Sequence, residues 1–335
     1  MNKRALRADA LLLLTAAIWG FGFVAQRAGM QYIGPFAFNG IRFLLASLVL
    51  LPYALWRVKN VSVSESAASG KTGFKPFVVS AFLAGFCVFI AVSFQQLGIM
   101  FTTVGNAGFI TGLYVVLTPV FGIFLKRKTG RATWVGAFLT LTGLYFLSVA
   151  GGPGGVNPGD VLVGISAVFW AFHVLLIDRL VKSIDAIALS VGQFFFTGVS
   201  ALLAALLVEP AFSAWLQALD PQVLYTQLYT WISLPELIRG LSSGSIPFEL
   251  VSNALVPILY AGLVSGVVGY TLQIVAQRDA PPAHASIILC LEGSFAALGG
   301  VLLLGEIVGA WTLTGFALML AGMLATQWEV IMGKS

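Results

Sequence analysis

The chain has 335 residues, of which 59% are hydrophobic and 9% charged, with a mean hydropathy of +0.95. Such a composition cannot cover a folded surface with water-loving side chains, so it excludes a soluble protein and places the chain in a bilayer. The excess of bases, 18 Lys+Arg against 13 Asp+Glu, fits cytoplasmic loops and anionic headgroups rather than nucleic acid.

A spanning helix needs about 20 mostly apolar residues. Cutting at charges, prolines and glycine clusters predicts ten: 9–29, 35–56, 76–97, 104–125, 132–150, 160–178, 186–208, 251–276, 283–304 and 311–331. The first, with the basic start "MNKRALRADALLLLTAA", resembles a signal peptide. Its apolar run, however, continues through "IWGFGFVA", and a counterpart lies mid-chain. With the N-terminus placed inside, 15 of the 18 bases fall on the cytoplasmic side; Arg27 and Arg239 lie outside and Arg42 within a helix. Both termini are therefore expected in the cytoplasm, and segment 209–250 outside.

The sixth run repeats the first. "SAVFWAFHVLLIDRL" (166–180) has nearly the order of small, apolar, aromatic and charged residues of "TAAIWGFGFVAQRAG" (15–29), with Trp19 falling on Trp170. The same offset lays "FAFNGIRFLLASLVLL" on "IALSVGQFFFTGVSALL", setting Arg42 on Gln193. Near the ends "GAFLTLTGLYFL" matches "GFALMLAGMLAT" with glycines in register. The expected fold is all-α integral membrane, ten transmembrane helices as two inverted five-helix repeats, 1–150 and 151–335, with 209–250 inserted between the seventh and eighth helices. Five is odd, so the second half enters from the opposite side, the plan of many secondary transporters.

Polar residues within the runs are the candidate site. Glu292, in "ILCLEGSF", is costly in hydrocarbon unless neutral, paired or facing water, which fits proton or substrate coupling or else an interhelical hydrogen bond. Arg42 is read first as snorkelling or as an ion-pair partner of Glu306, and second as a substrate contact. Trp19 and Trp170 are cavity walls for stacking, or packing residues. Gln95, Asn106, Tyr114, Gln193 and Tyr270, with Gln96, Thr111 and Gln273, form a neutral polar set suited to a zwitterion or sugar, or to neighbouring helices. His173 is a ligand or proton relay, or a satisfied intramembrane histidine. Gly108 with Gly112, and Gly262 with Gly266, are small-residue pairs for close packing.

Neither a metal cluster nor a cofactor is expected from two histidines and two apolar-run cysteines, Cys87 and Cys290. No nucleophile elbow, zinc-protease motif or P-loop is present, which argues against an enzyme and against an ATPase-driven pump. The partners expected are a small-molecule substrate, lipid and protons.

"AIWGFGFVAQRAG", "NGIRFLLA", "LTPVFGIFL" and "APPAHASIILCLEGSFAALGGVLLLGE", set in a ten-helix 5+5 layout, resemble the EamA branch of the drug/metabolite transporter superfamily. The resemblance implies export or exchange of small polar or amphipathic metabolites such as amino acids, in a bacterial inner membrane. Two features depart from it. Helix 9 in such proteins reads Leu-Glu-Pro, whereas Gly293 follows Glu292 here, and 209–250 is longer than a family loop. That segment, with Trp215, Tyr225, Tyr229 and Trp231, is read as amphipathic pieces at the outer interface, either a surface insertion or a lid. A passive channel and a non-transporting scaffold or sensor are the alternatives from other classes.

Overall fold

The computed structural model describes residues 3–60, 73–125, 131–148, 156–181, 183–218, 233–243, 248–276 and 288–326. Among the described residues the regular elements are helices: α1 (Lys3–Gly29), α2 (Pro35–Asn60), α3 (Phe74–Ile99), α4 (Val104–Thr111), α5 (Tyr114–Gly122) with a 3₁₀ turn (Ile123–Leu125), α6 (Arg131–Ser148) and α7 (Pro158–Leu180). Then follow α8 (Ala186–Leu207), α9 (Glu209–Ala218), α10 (Leu234–Ser243), α11 (Phe248–Leu259), a π-helical stretch (Tyr260–Gly269), α12 (Tyr270–Ala276), α13 (Glu292–Leu304) and α14 (Ala310–Thr326).

Seven of the described spans are long and apolar enough to cross a membrane: Leu6–Gly29, Pro35–Arg57, Phe74–Ile99, Val104–Gly122, Pro158–Leu180, Ala186–Leu207 and Ser252–Gln273. Glu292–Leu304 and Ala310–Ala325 are apolar but shorter, and α6 has 18 residues. The chain is thus a multi-pass integral membrane protein, with large apolar side chains such as Leu48, Phe82, Phe138 and Leu302 exposed on its helices. Tyr225, Tyr229, Trp231, His284 and the bases Lys71, Lys126, Arg127, Lys128, Lys182, Arg278 and Lys334 lie outside the described residues.

Local chemistry sets many boundaries. Proline at the first helical position opens α2 and α7, where its missing N–H costs nothing. Asp185 caps α8 by accepting from the N–H of Ile187 and Ala188, both at 3.0 Å, and its other oxygen takes the Arg57 Nε–H at 2.9 Å. Ahead of α10, Glu236 reaches back to Ser233, its carboxylate accepting from the Ser233 N–H at 3.0 Å and from the hydroxyl at 2.7 Å. Gly305 ends α13 with φ of +68°, and the Glu306 N–H then bonds back to Gly300 O at 3.0 Å. A residue with a Cβ would be strained in that left-handed turn.

The chain divides into two compact units, and neither is a sequence half. Unit 1 holds Met1–Val24, Leu97–Leu175 and Val268–Ser335; unit 2 holds Ala25–Gln96 and Leu176–Val267. Within unit 2, α2 lies against α8: Gly40 faces Leu202, Gly198 faces Leu44, and the Ser47 hydroxyl donates to Val191 O at 2.9 Å. As residue numbers rise on one helix they fall on the other, so the pair runs antiparallel. Phe43 and Phe194 pack within it, ring centres 5.5 Å apart.

Unit 1 repeats the device twice. Gly143 of α6 meets Gly315 O of α14, and Gly322 of α14 meets Gly136 O of α6. Gly108 of α4 meets Ala296 and Gly293 of α13. A Cβ added at Gly143 or Gly322 would stand 2.7 Å or less from backbone or side-chain atoms of the other helix. Lipid tails are as apolar as leucine, so helix association in a bilayer depends on close backbone approach of this kind. Gly262 against Arg42 O and Gly266 against Ala46 do the same for the π stretch in unit 2.

Candidate functional site

Three apolar runs are interrupted along their length, and each interruption is followed at once by a polar side chain. The fourth predicted run is not one helix. After Thr111 the bonds tighten, Leu113 N–H to Ile110 O and Val115 N–H to Gly112 O, both 3.1 Å, and α5 restarts at Tyr114. The eighth run passes Pro257, relaxes into the π stretch, and resumes as α12 at Tyr270. The ninth breaks at Cys290 and Leu291, where Leu291 N–H bonds to Ile288 O at 3.1 Å, and α13 opens at Glu292.

Gly293, which follows Glu292 where such proteins have proline, lies within α13, just after the tightened turn. Gly293 itself serves packing: a Cβ there would lie 3.1 Å from Phe109 of α4.

The restart residues converge. Tyr270, Cys290 and Glu292 all lie within electrostatic reach of the Tyr114 hydroxyl. Trp19 of α1 packs on Tyr270 with ring centres 5.4 Å apart, and Gly269 leaves room for its indole N–H. Gly20, the next residue of α1, faces the Glu292 carbonyl and Phe295. Glu292 is only 5% exposed, and no hydrogen bond to its carboxyl is found among the described residues. A carboxyl that is buried yet unbound by neighbouring helices is free to bind a proton or a cationic group.

The other sequence candidates fall as follows. On α7 of unit 1, Trp170 and His173 form an edge-to-face pair 5.7 Å apart, and the Trp170 indole N–H, like the Ser166 hydroxyl one turn earlier, has no partner among the described residues. Asn106 of α4 has a side-chain oxygen with no hydrogen-bond partner among the described residues. Gln95 and Gln193 are buried in unit 2, at 4% and 2% exposure.

Arg42 and Glu306 also belong to different units, and each has partners in its own. Arg42, 7% exposed, donates from Nε to Asn39 Oδ1 at 2.9 Å and reaches Gln26 Oε1 at 3.5 Å, its guanidinium 4.6 Å from the centre of the Phe43 ring. Glu306 caps α4, accepting from Val104 N–H at 2.6 Å and Gly105 N–H at 3.3 Å. Both therefore have structural employment, Arg42 in an amide network and Glu306 at a helix end.

Sequence reasoning missed the breaks before Tyr114 and Tyr270, and it missed Glu209, buried at 0% exposure with the Phe36 N–H donating to its Oε1 at 3.1 Å. Gly112 and Pro257 were the available signals for the first two, but glycine and proline are frequent in membrane helices and do not by themselves mark a break.

The sequence pattern of the EamA-like transporter family matches residues 6–149 and again 157–327, nearly the whole chain. The chain belongs to the EamA-like transporter family. Among its relatives is a protein of Archaeoglobus fulgidus named an uncharacterized transporter, 28% identical over 98% of this chain and 88% of the relative. Another is YwfM of Bacillus subtilis, named an uncharacterized transporter, 24% identical over 93% of this chain and 91% of the relative. YedA of Escherichia coli, named an uncharacterized inner membrane transporter, is 24% identical over 76% of this chain and 81% of its own. A solved structure titled only "Crystal structure of protein" superposes with a TM-score of 0.59 at 16% identity, covering 95% of this chain and 96% of that one, and so shares the fold. EamA-like transporters are generally not enzymes, and this chain carries membrane-spanning helices and relatives named as transporters.

Proposed function

We propose that this EamA-like transporter is a secondary exporter or exchanger of a small polar or amphipathic metabolite such as an amino acid, working by alternating access in a bacterial inner membrane. The observation that carries the reading is the convergence of three helix restarts, at Tyr114, Tyr270 and Glu292, beside Trp19. Interrupted helices free backbone groups and polar side chains at membrane depth, where an unbroken helix would offer a ligand nothing.

In this reading the Glu292 carboxyl faces an ammonium group of the substrate or a proton, one displacing the other. Trp19 and Tyr270 cover the substrate's apolar part, the ring faces also attracting a cation. Exchange of proton for substrate at one carboxyl would couple export to the proton gradient without ATP.

The ten-helix, inverted 5+5 plan is part of the proposal. It is supported by the double match of the family pattern and by antiparallel packing of helices that occupy equivalent places in the two halves: α2 with α8, α4 with α13, α6 with α14. An inverted copy of a helix runs antiparallel to its original, so these pairs are what duplication followed by inversion would leave.

Proteoliposomes loaded with a mixture of radiolabelled amino acids test the reading, assayed for efflux with and without an imposed pH gradient. The parent should move at least one of them, and faster with protons available on the far side. If none moves under either condition, the amino-acid reading fails; steady single-channel current through the reconstituted protein would replace it with the channel reading.

A further inference from the structure

A hydroxyl inside a membrane helix commonly satisfies itself on the carbonyl one turn back in its own backbone. This chain does so repeatedly: Thr15 donates to Leu11 O, Thr140 to Gly136 O and Ser190 to Ala186 O, each at 2.8 Å. Ser166 of α7 does not. It is buried at 0% exposure, and its Oγ has no hydrogen-bond partner among the described residues, although the Leu162 carbonyl lies one turn back in the same helix.

One turn on, the Trp170 indole N–H is equally enclosed and also has no partner among the described residues. Residues four apart share a helix face, and a long side chain leans back over the turn before its own Cα, so the indole is carried toward Ser166. The two groups do not bond to each other. His173, 6% exposed, braces the indole from the following turn, ring centres 5.7 Å apart and edge to face. Val163, Ser166 and Ala167 on this side of α7 are at 0% exposure, whereas Trp170 among them is half-buried, so its ring borders space that a ligand can enter.

We propose that Ser166 and Trp170 grip the carboxylate of the transported substrate, which is therefore a zwitterion held at its carboxylate on α7 and at its ammonium by Glu292. This rests on the reading above that the substrate is an amino acid whose ammonium faces Glu292; both places belong to unit 1.

The chemistry of the two side chains selects the group. An indole N–H can only donate and a hydroxyl can donate, so the pair suits an acceptor with two oxygens and has nothing to offer an ammonium that Glu292 does not offer better. Hydrogen bonds to an ionised oxygen are roughly twice as strong as neutral ones, which favours a carboxylate over an amide or ester. A buried donor left unbonded is destabilising, and a ligand oxygen relieves it. A zwitterion also brings no net charge to membrane depth.

Nuclear magnetic resonance of the micelle-held protein with ¹⁵N-labelled tryptophan tests the grip, the Trp170 indole signal being identified by its loss in Trp170→Phe. Each standard amino acid is added in turn, then its amide, which keeps the ammonium and lacks the carboxylate. Acetate, lactate and benzoate supply a carboxylate without an ammonium. At least one amino acid should move the indole proton downfield and its amide should not. Ser166→Ala should bind that amino acid about tenfold more weakly or worse. Without ligand, Ser166→Ala should melt no lower than the parent, because the hydroxyl bonds nothing among the described residues; a lower melting temperature would make it structural and overturn its role. Equal shifts from an amino acid and its amide, undiminished affinity in Ser166→Ala, or silence toward every probe also overturns the proposal. If only the simple carboxylates move the signal, the grip on α7 stands and the amino-acid reading falls. If proteoliposomes export an amino acid that leaves the Trp170 signal unmoved, the transport reading stands and the grip falls.

Discussion

Glu292 and Arg42 are both ionisable residues within apolar runs, and their surroundings assign them different work. The Glu292 carboxyl has no hydrogen bond among the described residues, so Glu292→Gln should leave folding intact while removing a titrating proton. In proteoliposomes, substrate exchange should persist and pH-driven accumulation should vanish; accumulation equal to the parent's would make Glu292 a packing residue. Arg42 orients Asn39, whose amide donates to Val92 O at 3.3 Å, and neighbours Gln26, whose carbonyl takes the Gln96 amide at 3.3 Å. Its loss leaves buried amides unmatched, at about 1–3 kcal/mol for each group so stranded. Arg42→Gln should therefore lower the melting temperature of the detergent-solubilised protein by several degrees. An unchanged melting temperature with impaired transport would instead give Arg42 to the substrate.

At the scale of elements, carboxylates hold the beginnings of helices. Asp185 caps α8 and also pairs with Arg57, a pair left partly open to solvent at 20% and 34% side-chain exposure. The cap should matter more than the ion pair. Asp185→Ala should cost about 1 kcal/mol or somewhat more, and Asp185→Asn, which keeps the cap, well under 1 kcal/mol. Thermal unfolding in detergent separates the two, and equal losses would show that the ion pair dominates. Glu306 treats α4 likewise, with Gly300 providing room for its carboxyl as Gly34 does for Glu209. Glu306→Ala should destabilise by about 1 kcal/mol, and Glu306→Gln, which retains an acceptor, by less. Because α4 ends just before the break ahead of Tyr114, the alanine variant should also raise KM for any transported amino acid; an unchanged KM would confine Glu306 to stability.

For the whole molecule the open quantity is orientation, which the distribution of bases predicts. Cysteines introduced singly by Ser66→Cys and Ser213→Cys, in the background lacking Cys87 and Cys290, should be labelled by an impermeant maleimide from opposite faces of the membrane. Labelling of both from one face would refute the scheme with both termini inside. Deletion within 209–250, sparing Glu209 and α10, should alter transport rate without preventing insertion, because none of the segment's described residues belongs to a span long and apolar enough to cross a membrane. Unchanged kinetics would make it a surface insertion with no lid role.

Much of the architecture was legible in the chain because bilayer thickness acts on local sequence. A run of apolar residues must be a helix of a certain length. The repeat was equally visible, since Trp19 and Trp170 and the glycines of α6 and α14 recur in register. The tertiary structure alone decided which of these pieces share a unit. Halves 1–150 and 151–335 are contiguous in sequence, whereas the compact units take helices from both, because α2 packs on α8, α4 on α13 and α6 on α14, partners far apart in the chain. Nor could local pattern show that Tyr114, Tyr270 and Glu292 each follow a break. A glycine or proline permits an interruption, but whether one forms depends on what crosses there. Glu209 was hidden for the same reason. At the end of an apolar run a glutamate looks like a residue reaching for water, and only the arrival of Gly34 and Phe36 from a distant part of the chain encloses it.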